Sequence, residues 1–200
     1  MSRPDIAAFF DFDFTLATTT ECVRLWSPRG TRVENGRKYI PIDPAEYNVL
    51  QRATDETIDD SSYSEFGKVN LKDAKPILQP LEYMKYYLMD PDNVVGVVSA
   101  RPQRAEQYVF EFLTNSGINY ENRITFKGNQ SSLPSLKYDH VQEKIKKYNP
   151  KRVVYFDDSR DVIEYFLLNF RKDNAEDISF TSCLLKHTSF SEKTLIFKDV

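Results

Sequence analysis

Pairs of acidic residues follow two apolar runs of the chain. Asp11 and Asp13 come after the run "DIAAFF" near the start, and Asp157 and Asp158 come after "RVVYF" much later. Crowded carboxylates repel one another unless a cation lies among them, and hard oxygen ligands suit Mg²⁺. The sequence therefore predicts a magnesium site where these two runs end.

Two further polar residues are candidates for the same site. Ser99 follows the apolar run "VVGVV", and Lys137 stands at the start of the helical pattern that leads to "RVVYF". Lys127 also follows a strand-like run, but we favour Lys137 because its helix precedes the second acidic pair directly. In open α/β sheets, ligands bind beyond the carboxyl ends of the strands, so these groups are expected to converge there.

The elements that must position these residues alternate between strands and helices. Helices are predicted from Pro102 to a stop at Gly117 and over Leu136–Tyr148. Several of the strands are apolar throughout, as strands covered on both faces should be. The pattern predicts an α/β fold with a doubly wound parallel sheet, whose strands are Ile6–Phe10, Val94–Val98, Arg123–Phe126, Arg152–Phe156 and Ile178–Leu185.

Residues 17–93 interrupt this alternation and predict an insertion into a single domain whose core is 1–16 and 94–200. Asn35-Gly36 is a strong hairpin signal and predicts a meander of two or three strands. Asp43 and Pro44 then predict the start of a helix. The polar stretch "TDETIDDSSYSE" is expected to be an exposed loop.

The composition is that of an ordinary globular chain of 200 residues. It has 40% apolar and 28% charged residues and a net charge of −3, so its overall charge does not point to nucleic acid. No apolar run approaches a membrane span, and we expect a cytoplasmic protein. Cys22 and Cys183 match no zinc spacing and are expected to be free thiols.

Taken together, the motifs resemble those of the haloacid dehalogenase-like (HAD) hydrolases. The DxDxT motif of that superfamily is matched by Asp11-Phe12-Asp13-Phe14-Thr15, and its later Ser, Lys and acidic-pair motifs by Ser99, Lys137 and Asp157-Asp158, in the same order. The stretches "YIPIDPAEYN", "VVSARP" and "VVYFDDSRDVIEYF" also resemble small HAD-type hydrolases of tailed phages. The resemblance implies a Rossmann-like core with a small cap, here the hairpin and helix of the insertion.

The resemblance also implies a reaction. Asp11 would attack phosphorus and form an aspartyl-phosphate, and Asp13 would protonate the leaving group and then activate water. An Asp at position 13 is typical of the phosphatases of the superfamily, whereas a Thr there goes with ATP-driven pumps. Mg²⁺ would be held by Asp11, by the backbone carbonyl of Asp13, and by Asp157 or Asp158, which the sequence does not rank.

Several residues are candidates for substrate contacts. Ser99 and Lys137 would stabilise the phosphoryl group. Thr15 either stabilises its turn or touches substrate. Arg101 and Arg160 either meet a phosphate, form a salt bridge or lie on the solvated surface. The hairpin is locally basic, and its charges are either solvated or reach a nucleic-acid backbone; these residues are Arg24, Arg29, Arg32, Arg37 and Lys38.

These observations predict a Mg²⁺-dependent phosphomonoester hydrolase that acts on a nucleotide or a polynucleotide end. Two alternatives stay open. One is a phosphatase for small metabolites such as sugar phosphates, and the other is a receiver-like phospho-aspartate switch without turnover. In receiver domains the acidic pair lies at the first strand and the acceptor at a later one, which is the reverse of the order here. The oligomeric state is not predicted.

Overall fold

The computed structural model describes residues 3–42, 51, 53–119, 122–129, 133–174, 177–189 and 192–199. The helices are α1 (Leu78–Met89), α2 (Glu106–Asn115), α3 (Pro134–Tyr148) and α4 (Arg160–Asp173), with 3₁₀ helices at Asp60–Gly67 and Gln103–Ala105. The strands are β1 (Ile6–Phe10), β2 (Ala17–Thr18), β3 (Val23–Trp26), β4 (Arg32–Glu34), β5 (Arg37–Ile42), β6 (Lys75–Pro76), β7 (Val94–Ser99), β8 (Ile124–Gly128), β9 (Arg152–Asp157), β10 (Ser179–Ser189) and β11 (Glu192–Asp199).

The main sheet has the strand order β11-β10-β9-β1-β7-β8. Its five strands from β10 to β8 are parallel, and β11 pairs antiparallel with β10 at one edge. All five strands expected from the sequence are present, so the predicted parallel α/β sheet is confirmed. The chain leaves β1 toward β7 and β8 and returns to β9 on the other side of β1, which makes the β1–β9 boundary the switch point of the sheet.

Helices cover both faces of this sheet. On one face, α1 and α2 pack Met84 and Phe112 against a cluster that includes Phe10 of β1. On the other face, α3 and α4 pack Val141 and Phe166 with Phe9 of the same strand. Neighbouring residues of a strand point to opposite faces, so a strand covered on both sides must be apolar throughout, as β1 is. This layering is compatible with a Rossmann-like core.

Helix α1 belongs to the core although it falls within 17–93, the range expected to form the insertion. Its buried residues Leu81, Met84 and Leu88 join the same apolar cluster as Val95 and Val97 of β7. The segment that stands apart from the main sheet is therefore shorter than the predicted range. It contains β3, β4, β5 and the 3₁₀ helix Asp60–Gly67.

The insertion does not form a three-stranded meander, so that form of the prediction was wrong. A meander would place β4 in the middle, but the order is β3-β5-β4. The Asn35-Gly36 hairpin itself is confirmed, with both residues at positive φ (48° and 77°) as its tight turn requires. Strand β5 takes the centre because it supplies the buried residues Tyr39 and Ile42, whereas β4 is exposed and suits an edge.

The stretch from 54 to 65, expected to be an exposed loop, also differs in the structure. Its second half forms the 3₁₀ helix Asp60–Gly67, which Asp59 begins with a capping box shared with Ser62. Phe66 of this helix packs against the small apolar cluster of β3 and β5. The helix predicted to begin at Asp43 lies outside the described residues.

Two other expectations concern the chain as a whole. Cys22 and Cys183 form no disulfide within the described residues, as expected, and both are buried. Within the described ranges, no helix has both the length and the apolar composition needed to cross a membrane.

Candidate functional site

The carboxyl ends of three neighbouring strands meet at the switch point. Asp11 directly follows β1, Asp157 ends β9 and Ser99 ends β7. The backbone N–H of Asp11 donates to the carbonyl of Phe156 at 2.8 Å, which holds the ends of β1 and β9 side by side. Helix α3 begins with Pro134 at its first position, so Lys137 lies in the first turn of the helix.

Lys137 joins the two carboxylates of this site. Its Nζ atom donates to Asp11 Oδ1 and to Asp157 Oδ2, each at 2.8 Å, and all three side chains are nearly inaccessible to solvent. Burial alone would lower the pKa of Lys137, but the charges and hydrogen bonds of the two carboxylates outweigh burial and raise it. Lys127, the other candidate lysine, is exposed on β8. Lys137 is therefore the lysine that contacts Asp11.

The site holds more negative charge than Lys137 balances. Burial raises the pKa of Asp11 well above its usual range, and the charges of Asp157, Asp158 and Asp13 act in the same direction while Lys137 opposes them. Burial also raises the pKa of Asp157. Asp11, Asp157 and Asp158 each offer a carboxylate oxygen, and these oxygens lie within 4.8 Å of one another. A hard divalent cation fits this donor set, because it would balance the excess charge.

Asp157 is fixed by three donors. Its Oδ2 accepts from Lys137 and from the Tyr155 hydroxyl at 3.0 Å, and its Oδ1 accepts from the backbone N–H of Ser159 at 2.8 Å. Sequence reasoning missed Tyr155. The alternation of side chains along a strand was the available signal, since residues two apart in β9 point to the same face.

The Asp13 carboxylate is held by Arg101 and Thr19. Its Oδ1 accepts from Arg101 Nη2 and from Thr19 Oγ1, both at 2.7 Å, and its Oδ2 accepts from Arg101 Nε at 2.9 Å. The side chain of Asp13 thus does not join the metal-ligand candidates, and only its backbone carbonyl is left for that role. Thr19 was not anticipated from the sequence.

Arg101 is buried completely, and every N–H of its guanidinium has an acceptor within the protein. Besides Asp13, Nη2 donates to Glu21 Oε2 at 3.0 Å, and Nη1 donates to the backbone carbonyls of Phe66 (3.4 Å) and Lys68. Burial alone would lower the pKa of Arg101, but Asp13 and Glu21 outweigh burial and raise it. Glu21 was also missed, because it carries no motif and lies 80 positions from Arg101.

The two hydroxyl residues expected near the site are both fully buried. Ser99 Oγ accepts from the backbone N–H of Arg101 at 3.1 Å, which leaves the hydroxyl proton of Ser99 to be donated elsewhere. Thr15 lies in the tight turn after β1, where Phe14 has a positive φ of 58°. Among the described residues, the Thr15 hydroxyl has no hydrogen-bond partner.

The remaining substrate-binding candidates lie in ion pairs away from these carboxylates or at the surface. Arg160 is exposed and pairs with Glu164 one turn further along α4, at 2.6 Å. In the insertion, Arg29 pairs with Glu56 at 2.6 Å and Asp55 at 3.3 Å. Arg32 is exposed.

Two more basic residues of the hairpin are paired within the insertion. Arg37 pairs with Asp59 at 2.9 Å and stacks over the Trp26 ring at 4.1 Å. Arg24 pairs with Glu34 at 2.7 Å and with Glu65 at 3.0 Å. Carboxylates of the insertion therefore balance much of the positive charge that the sequence shows on the hairpin.

Comparisons with known proteins add little to this geometry. No family model and no curated protein matches the chain. Among solved structures, the crystal structure of the Legionella pneumophila effector Ceg4 with an N-terminal TEV protease cleavage sequence is similar at a TM-score of 0.45 and 17% identity. The match covers 90% of this chain and 86% of that one. A likeness this distant carries no argument about the site.

Proposed function

We propose that the protein is a Mg²⁺-dependent phosphomonoester hydrolase that acts through an aspartyl-phosphate on Asp11. The observation that carries the proposal is the contact of Lys137 with both Asp11 and Asp157, beside Asp158, at the carboxyl ends of adjacent parallel strands. A buried carboxylate held by a lysine at a sheet switch point is a suitable nucleophile for a substrate that approaches from this edge.

The proposed metal would be held by the carboxylates of Asp11, Asp157 and Asp158. When bound, Mg²⁺ would neutralise the charge of the phosphoryl group and of the attacking carboxylate. The excess of carboxylates over ammonium groups at this position supports that assignment. Burial is the main cause of the raised pKa of Asp11, and a bound cation would favour the charged form of this carboxylate.

The residues would divide the reaction into two steps. In the first, a carboxylate oxygen of Asp11 bonds to phosphorus, the ester P–O bond breaks, and Asp13 gives a proton to the departing oxygen. In the second, water attacks the same phosphorus, Asp13 takes the proton from that water, and phosphate leaves as the Asp11 carboxylate re-forms. Lys137 and the Ser99 hydroxyl would offset charge on the phosphoryl oxygens.

Among the expected substrates, small phosphomonoesters are favoured over polynucleotide ends. Reading a nucleic-acid backbone requires basic side chains that are free to contact phosphates. Arg29 and Arg37 are paired with carboxylates of the insertion, so a polynucleotide would have to displace those partners. A mononucleotide or sugar phosphate needs only the carboxylate site itself.

A substrate screen tests the proposal. Aryl phosphates, mononucleotides and sugar phosphates are incubated with the protein, with Mg²⁺ present or after chelation, and phosphate release is measured. We expect turnover only with the metal, and none for a folded Asp11→Asn variant, because an amide is not a useful nucleophile. Turnover that survives chelation, or that Asp11→Asn retains, would contradict the proposal.

The same screen separates an enzyme from a signalling switch. A receiver-like protein would take up a phosphoryl group from a small donor, keep it for minutes and release no phosphate from esters. Labelled phosphoprotein that persists without ester turnover would therefore favour the switch.

A further inference from the structure

The contacts of Arg101 connect the proposed acid/base to the insertion. Nε and Nη2 of the guanidinium donate to the two carboxylate oxygens of Asp13, at 2.9 and 2.7 Å. The remaining donors go to Glu21 and to the carbonyls of Phe66 and Lys68, at the end of the 3₁₀ helix. A single buried side chain thus contacts Asp13, just after β1, and two further segments of the region between β1 and α1.

The same contacts argue against a direct role for Arg101 in binding phosphate. An arginine has five N–H donors, and here all five have acceptors inside the protein. The side chain has no solvent exposure and lies near the rings of Phe12 and Phe66, at 5.4 and 5.5 Å. A phosphate would have to break existing buried ion pairs to reach it.

We propose that Arg101 is a positioning residue through which the docked insertion holds the Asp13 carboxylate in its working orientation. This inference rests on the proposed function. A two-point contact fixes the plane of a carboxylate as well as its location, because the guanidinium fork matches both oxygens. Thr19 adds a third donor to Asp13 from the opening of the insertion. Glu21 anchors the other side of Arg101 and also accepts from the backbone N–H of Asn70 at 2.5 Å.

Misplacing Asp13 has a kinetic signature that a loss of stability does not produce. With p-nitrophenyl phosphate, the leaving group departs without a proton, so the first step does not need Asp13. Hydrolysis of the aspartyl-phosphate still needs Asp13 as a base. A variant with misplaced Asp13 should therefore show a fast burst of p-nitrophenol followed by slow turnover. With an alkyl phosphate both steps need Asp13, so no burst is expected.

The experiment compares Arg101→Lys and Glu21→Gln with the wild-type protein by rapid mixing in the presence of Mg²⁺. Arg101→Lys keeps the positive charge but loses the paired N–H donors that bind both carboxylate oxygens of Asp13. Glu21→Gln weakens the contact between Arg101 and the insertion and leaves the residues that contact Asp13 unchanged. We expect burst rates within about threefold of wild type and steady-state turnover lowered at least about tenfold in Arg101→Lys, a fraction of the 10²–10⁴-fold attributed to an acid/base. Glu21→Gln should show the same pattern more weakly.

A structural arginine supplies the matched control. Arg123 donates to the backbone carbonyls of Leu88 and Asp90, between α1 and β7. Arg123→Gln should lower the melting temperature and leave the ratio of burst rate to steady-state rate at the wild-type value. If Arg101→Lys does not fold, the kinetics of Glu21→Gln decide, because this variant weakens the support of Arg101 without replacing a residue that contacts Asp13.

Three outcomes would overturn the inference. The first is a wild-type ratio of burst rate to steady-state rate in Glu21→Gln and in Arg101→Lys, where the latter folds. The second is an equal loss of burst and turnover in both variants. The third is weaker inhibition by inorganic phosphate in Arg101→Lys, which would mean that Arg101 contacts the phosphoryl group. Failure of the proposed function is distinct, because the wild-type protein itself would then turn over no ester.

Discussion

Lys137 Nζ lies 2.8 Å from Asp11 Oδ1, although 126 positions separate the two residues in the chain. The parallel sheet produces this contact, because it aligns the ends of β1 and β9 while α3 crosses over to lead into β9. The ammonium group is buried between two carboxylates, so each member of the group depends on the others for charge balance.

Removing that ammonium should destabilise the fold. Lys137→Met leaves Asp11 and Asp157 buried without their shared partner, and breaking a buried pair in this way costs about 3–5 kcal/mol. We expect a loss of that order in the free energy of unfolding, measured by urea denaturation without metal. The exposed Lys127→Met should change it by less than about 0.5 kcal/mol. Equal effects of the two substitutions would contradict the assignment of Lys137 to this site.

Magnesium should stabilise the folded protein even without substrate. A ligand that binds only the folded state raises stability by about 2.7 kcal/mol at one hundred times its Kd. We expect the melting temperature to rise with Mg²⁺ concentration in the wild-type protein and to rise much less in Asp11→Asn and Asp158→Asn. Asp5→Asn, which removes an exposed carboxylate paired with Lys151, should keep the full shift. An undiminished shift in Asp11→Asn would remove that residue from the ligand set.

The strands of the core could be predicted because continuous apolar runs of four to eight residues are typical of strands buried on both faces. The position of the candidate site could be predicted from these strands, because polar residues at their carboxyl ends meet at one edge of the sheet. Helix α1 could not be separated from the insertion in the same way. Its assignment depends on Leu81 and Met84 packing on the sheet, and that contact is not local in sequence.

The partners of Asp13 and Arg101 could not be predicted for a related reason. Periodicity and capping rules describe neighbours within about one helical turn or along one strand. The pairing of Arg101 with Glu21 depends on how the insertion folds back over the core, across 80 positions. The order β3-β5-β4 was missed because a hairpin signal indicates which strands turn back on each other and says nothing about where a third strand pairs.

His140 should make stability depend on pH. Burial and the nearby charge of Lys144 lower the pKa of His140 from its usual 6.5, against the opposing effect of Glu143. The unfolded chain therefore binds a proton near pH 6.5 that the folded protein still excludes, so stability falls as pH drops below about 6.5. His140→Gln should show a smaller fall in unfolding free energy between pH 7.5 and 5.5, measured by urea denaturation. The same pH dependence in both proteins would contradict this account.

Gly128 should tolerate no side chain, because the backbone before α2 passes directly over it. A Cβ atom there would lie 2.5 Å from the carbonyl oxygen of Arg101 and from the backbone nitrogen of Gln103. We expect Gly128→Ala to lose about 1–3 kcal/mol of stability and to slow turnover by shifting Arg101. Gly36→Ala has open space but a positive φ of 77°, so it should lose about 1 kcal/mol and keep turnover. Equal turnover in both variants would mean that the Arg101 segment can move without consequence.

The ion pairs of the insertion should keep the protein from preferring polynucleotide substrates. We expect a 5′-phosphorylated oligonucleotide and the corresponding mononucleotide to be hydrolysed at similar kcat/KM, with a ratio that does not change with salt, because Arg29 and Arg37 already have carboxylate partners. The triple variant Asp55→Asn, Glu56→Gln, Asp59→Asn removes the carboxylate partners of both arginines. It should acquire an oligonucleotide preference that declines with salt, with a logarithmic slope near −0.7 for each phosphate contacted. A salt-sensitive oligonucleotide preference in the wild-type protein would instead mean that the substrate displaces these carboxylates, and would make a polynucleotide end the better substrate assignment.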